Sequence, residues 1–67
     1  MSVEEKLLIR LLEKNAISET TGVIIKRDKT LKPLLNAGII KGAKEDKVYL
    51  SEMGYKIAKG AKDIYRK

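Results

Sequence analysis

Two short apolar runs, Ile39-Ile40 and Val48-Tyr49-Leu50, lie on either side of a charged tip, Lys44-Glu45-Asp46-Lys47. Apolar runs of this length around a polar turn form a β-hairpin. The flanking residues fix its frame. Leu31, Leu34 and Leu35 fall at i, i+3, i+4, which places three leucines on one face of a helix. Asn36-Ala37-Gly38 ends that helix, because glycine enters the left-handed C′ conformation at no steric cost. Ser51 is a favoured N-cap for a helix that closes the chain. From Thr30 to Ala58 the order is therefore helix, hairpin, helix, and the remaining residues have to be arranged around it.

Residues Leu34-Leu35-Asn36-Ala37-Gly38-Ile39-Ile40 are similar to the L-x-x-x-G-[LI]-[IV] pattern of winged helix-turn-helix domains. Tyr49-Leu50-Ser51-Glu52-Met53-Gly54 resembles the same family's Y-x-L-[ST]-x-x-G, with Tyr49 directly before Leu50 rather than one residue removed. The resemblance covers roughly residues 3–60. It implies an α+β fold: a three-helix core, a β-hairpin wing and a C-terminal helix. In that family the recognition helix enters the DNA major groove and the wing touches the flanking backbone. These motifs are shared by many winged-helix families and specify fold better than function.

Sixty-seven residues make one small domain. A single core of this size supplies only roughly 3–5 kcal/mol, so an added staple or a second copy is expected. Cysteine is absent, which excludes a disulfide, and histidine is absent too. That removes the usual zinc ligands and the commonest general base. Glu45-Asp46 is an adjacent pair on a turn, not a carboxylate pair spaced for a metal or for acid–base work. No Gly-rich phosphate loop is present. The expectation is a protein that is not an enzyme and needs no cofactor, with no small-molecule ligand evident. No apolar run approaches the ~20 residues that span a bilayer, so no membrane partner is expected and the cytoplasm is the default location. Lysine-rich composition without Cys, His or Gln also fits a thermophile.

Charge is unevenly placed. Residues 1–25 carry three basic and four acidic side chains, whereas residues 26–67 carry twelve basic and five acidic, which leaves that part at +7. A basic part beside a slightly acidic one suits a polyanion; the bland alternative is a solubilising lysine surface.

In chain order, Ser2-Val3-Glu4-Glu5 is a capping box, and Val3, Leu7, Leu8, Leu11 and Leu12 follow at helical spacing, so helix 1 is expected over 3–14. Residues 15–29 allow two registers. In one, Gly22 is the turn and the recognition helix begins near Lys26. In the other, Ser18 caps a second helix over 18–27 and recognition begins at Thr30. Pro33 favours the second register: deep inside a helix it costs about 3 kcal/mol, but in the first turn its missing N–H has no intrahelical partner anyway. The β-branched run Thr21–Ile25 offers a short strand as a competitor. The expected layout is one domain, 1–67, with helices at 3–14, 18–27, 30–37 and 52–66 and a wing at 39–51.

The candidate binding residues follow from this layout. Lys32 and Asn36 stand exposed one turn apart on the recognition helix, and Lys29 and Thr30 lie at its start. Lys26 and Arg27 precede it, and the wing adds Lys41, Lys44 and Lys47. Lysine meets phosphate or guanine, and asparagine pairs bidentately with adenine in the major groove. Three tyrosines with no Phe or Trp argue against single-strand binding, which needs stacking platforms. The expected partner is double-stranded DNA, for a transcription regulator or architectural protein. The alternatives are a winged-helix protein-interaction module and an RNA- or ribosome-associated protein. On the last helix Met53, Ile57, Ala61 and Ile64 form a stripe that Ala58 and Tyr65 extend around the helix. That arc is wide for one neighbour, so it fits either the first helix or a homodimer.

Overall fold

Glu4 and Glu5 in the first turn of helix α1, Val3–Glu13, and Arg10 in its last turn carry the signs the helix dipole favours. The computed structural model describes residues 3–26, 29 and 31–65; Ser2, the expected cap of α1, lies outside them. Leu8 and Leu11 are buried and Leu7 and Leu12 half-buried, whereas Val3, at the helix start, is exposed. The helix closes in a Schellman motif. Asn15 takes a left-handed φ of 55°, its N–H donates to the Leu12 carbonyl at 3.0 Å, and the Ala16 N–H donates to Leu11 at 2.9 Å. Asparagine tolerates this conformation better than most residues with a Cβ. Ala16 is fully buried, and its carbonyl accepts the Leu50 N–H at 2.7 Å, which ties the loop to the sheet.

The helix expected over 18–27 is not formed among the described residues 18–26, which make a turn followed by a strand; Arg27 lies outside them. Hydroxyl chemistry explains the difference. Thr21 Oγ1 accepts the N–H groups of Ile17 and Ser18, each at 3.1 Å, and the Ser18 Oγ lies 2.9 Å from Thr20 Oγ1. The Thr21 N–H closes the turn on the Ser18 carbonyl at 3.2 Å. Ser and Thr that satisfy nearby backbone groups in this way compete with helix formation. Beyond them, Val23–Ile24 forms strand β1, as β-branched residues prefer. Gly22 leads into it where an added Cβ would stand 3.2 Å from the Val48 carbonyl oxygen.

Strands β2, Ile40–Gly42, and β3, Lys47–Leu50, form the hairpin, and the antiparallel sheet runs in the order β1-β3-β2. Val23 opposes Val48 and Ile24 opposes Lys47; Ile40 opposes Leu50 and Lys41 opposes Tyr49. One sheet face is core: Ile40, Val48 and Leu50 are buried with Leu8, Leu11, Leu31, Leu34 and Ala58. Helix α2, Lys32–Asn36, packs on β2, and helix α3, Glu52–Tyr65, packs along α1 and against β3. Among the described residues this gives three α-helices and a three-stranded antiparallel sheet, a small α+β domain.

Pro33 sits in the first turn of α2, where its missing N–H costs nothing. Leu31 stands at the N-cap position without a side-chain cap, and Thr30, expected there, lies outside the described residues. The helix ends as the sequence implies. Gly38 has φ of 75°, its N–H donates to Leu35 at 3.2 Å, and the Ile39 N–H donates to Leu34 at 3.0 Å, a second Schellman motif.

Ser51 then joins the two ends of the hairpin unit. Its hydroxyl donates to the Gly38 and Ile39 carbonyls, the latter at 2.9 Å, and accepts the Gly54 N–H at 3.0 Å. The Ser51 N–H donates to the Ile39 carbonyl at 3.1 Å. One buried serine therefore caps α3 and satisfies the turn that follows α2.

Candidate nucleic-acid interface

Period-2 alternation along β3 decides what the sheet shows on its far side. Val48 and Leu50 point into the core, so Lys47 and Tyr49 point away from it. Direct partners across an antiparallel ladder share a face. Lys41, opposite Tyr49, and Ile24, opposite Lys47, therefore belong to this outer face. Lys41 and Ile24 are exposed, and Lys47 and Tyr49 half-buried. The hairpin thus brings two of its expected lysines, Lys41 and Lys47, together around Tyr49. Tyr49 and Ile24 were not among the expected site residues, although the alternation of Val48-Tyr49-Leu50 already carries the signal for Tyr49.

Lys44 stands at the tip, at the start of a tight turn that the Lys47 N–H closes on the Lys44 carbonyl. Glu45 and Asp46 there take left-handed φ values of 62° and 60°, and the Ala43 N–H donates to the Lys47 carbonyl at 2.8 Å to close the turn. The open hollow beside the tip is lined by Glu19 and Glu45 as well as Lys44 and Lys47. The tip is consequently mixed in sign, and the basic character of the hairpin resides on the sheet face below it.

A second basic group lies between β1 and the end of α2. Lys26 and Lys29 are exposed, and Arg27, expected beside them, falls outside the described residues, as does Thr30. On α2, Leu34 is buried while Lys32 and Asn36 are exposed at i, i+4, neighbours on one helix face. Five helical residues rise only about 7.5 Å, so α2 offers little more than this one pair to a partner.

The stripe expected on the last helix divides into two. Met53, Ile57 and Ile64 are exposed, by 47 %, 42 % and 71 %. Ala61 does not belong with them: it is buried at 8 %, on the same side as Gly54 and the fully buried Ala58. Positions 54, 58 and 61, at i, i+4, i+7, share one face of the helix, and that face is the buried one. The Tyr65 side chain lies outside what is described. Gly60, not counted in the stripe, lies on the exposed line with Ile57 and Ile64.

Among the described residues no group of three or more His, Cys, Asp or Glu side chains is placed to hold a metal ion, and no helix is long and apolar enough to cross a membrane. Fold and surface together define a small basic α+β domain with a lysine-bearing hairpin and an exposed apolar line on its last helix. Comparison with family models, curated proteins and solved structures returns no match for the chain.

Proposed function

We propose that this protein binds double-stranded DNA as a winged-helix-type regulator or architectural protein, with phosphate contacts supplying most of the affinity. The observation that carries this reading is the run of lysines from 26 to 47. Lys26, Lys29, Lys32, Lys41 and Lys44 are exposed and Lys47 is partly so, in the part of the chain that holds a charge of +7. Duplex DNA presents a dense line of negative charge, and lysines that neutralise it release condensed counterions. The short α2 favours backbone contact over base reading, because only Lys32 and Asn36 are available to reach base edges. The outer sheet face has a single aromatic, Tyr49, and it is half-buried, which supports a duplex over a stacked single strand.

The test is a mobility-shift titration with random-sequence duplex over a range of salt. With about five phosphates neutralised, log K falls with log salt at a slope of roughly −4 to −5. No binding at low salt, or binding that salt leaves unchanged, overturns the proposal. Tighter binding to RNA than to duplex DNA of the same length favours the RNA-binding alternative.

A further inference from the structure

Four residues of α3 lie on one exposed line: Met53, Ile57, Gly60 and Ile64. Their spacings are 4, 3 and 4, which is the d-a-d-a repeat of a helix that packs against another helix. The line is distinct from the Gly54, Ala58, Ala61 line that covers the core, so α3 has a second apolar face that the described residues cover only in part. Gly60 adds to this. Glycine is the poorest helix former after proline, and an added Cβ there would meet nothing within 4 Å. The domain itself does not require a glycine at 60.

We propose that α3 pairs with α3 of a second copy, antiparallel, about a two-fold axis. In that arrangement a and d positions of opposite helices share layers, so Ile57 of each copy seats over Gly60 of the other, and Met53 meets Ile64. Bulk faces a recess in the central layers. In a parallel pair Gly60 would face Gly60 and leave a gap. Charge makes the same choice. The solvent-side flanking positions are Lys56 and Asp63, both exposed. The antiparallel register sets Lys56 of one copy beside Asp63 of the other, twice by symmetry, as a self-complementary two-fold interface requires. The other flank of the seam is Gly54 and Ala61, already buried in the domain, which leaves room for the partner helix only on the open side. Pairing through α3 does not depend on whether the protein binds DNA.

Sedimentation equilibrium on the full chain, from one to one hundred micromolar, tests it with K56D, D63K and G60L. The wild type is expected to sediment as a dimer within that range; a monomer throughout overturns the proposal. K56D and D63K each place two like-charge pairs in their own homodimer and should weaken association by roughly tenfold. Mixed in equal amounts, they form a heterodimer with both pairs attractive, and dimer mass should return. No recovery on mixing overturns the antiparallel register. G60L fills the recess and should abolish the dimer while raising helix stability, since leucine is the better helix former; a G60L dimer of wild-type affinity overturns the role of Gly60. All three positions are exposed, so the far-UV circular dichroism of the variants should keep its helical signature, and its collapse in every variant overturns the assignment of this face as surplus to the fold.

Discussion

Gly54 in the first turn of α3 lies flat against the carbonyl of Ile39. An added Cβ at 54 would overlap the Ile39 carbonyl oxygen and stand 2.8 Å from its carbonyl carbon. The obstacle is backbone, held in place by the Schellman turn at Gly38 and by two hydrogen bonds from Ser51. It cannot move aside as a long side chain would. Gly54→Ala should therefore cost about 3 kcal/mol or more, at the upper end for overpacking. Against a total of roughly 3–5 kcal/mol for a core of this size, the variant should keep no more than about 2 kcal/mol, with its urea midpoint lowered by at least about half, which urea titration followed by circular dichroism would report. A native-like midpoint would show that α3 can slide away from the hairpin.

Ser51→Ala removes the cap of α3 and leaves the Gly54 N–H, in a buried turn, without its partner. Loss of a capping serine costs about 1 kcal/mol, and an unsatisfied buried donor adds to it, so roughly 2 kcal/mol is expected. Ser51→Thr keeps the hydroxyl and should recover at least half of the lost stability in the same urea titration. Equal losses for both variants would mean that the serine's small size, not its hydrogen bonds, is what the junction needs.

These two residues also explain why the second half of the chain was legible. The glycine-ended helix and the L-S-x-x-G run look like separate motifs in the sequence, but Gly38, Ile39, Ser51 and Gly54 meet in one junction. Each supplies one thing the junction needs: a positive φ, an accepting carbonyl, a small hydroxyl and no Cβ. Residues 18–25 lacked such constraints. Ser18 is as good a helix cap as a turn former, and the outcome rested on Thr21, whose hydroxyl reaches the Ile17 and Ser18 amides. Val23 and Ile24 were then free to join β3, a pairing between residues more than twenty positions apart that local periodicity cannot reveal. On α3 the apolar residues were visible but their division was not. Ala61 and Ile57 differ by four positions and are both apolar, and only the placement of α1 decides which line is core.

Thr21→Val tests the turn directly. Valine keeps the shape of threonine and removes the oxygen that two backbone amides share. Because the turn is exposed, water replaces part of the loss, and about 1 kcal/mol of destabilisation is expected. The helical signal of the folded protein should not change, since 18–21 contributes no helix. A stabilised Thr21→Val protein would contradict the hydroxyl-closed turn.

The lysines should rank by their position in the fold. Lys32 and Lys41 are exposed on α2 and β2, inside the basic part of the chain, whereas Lys6 and Arg10 are exposed on α1, in the part with a slight acidic excess. If the proposed duplex binding holds, removing a lysine of the first group should weaken it by about 1 kcal/mol, close to fivefold in Kd, and lower the salt slope by about one. Lys32→Ala, Lys41→Ala and Lys29→Ala should each do this for any duplex sequence. Asn36→Ala should matter only if bases are read, and then only on some sequences. Lys6→Ala and Arg10→Ala should change Kd by less than about twofold, the effect of a distant screened charge. Fluorescence anisotropy at two salt concentrations separates these cases, because removing a phosphate-bound lysine changes the slope and removing a distant charge does not. If the α1 variants show the larger effect, the DNA-binding face is not the one formed by α2 and the hairpin, and the helix that follows β1 has been given the wrong role.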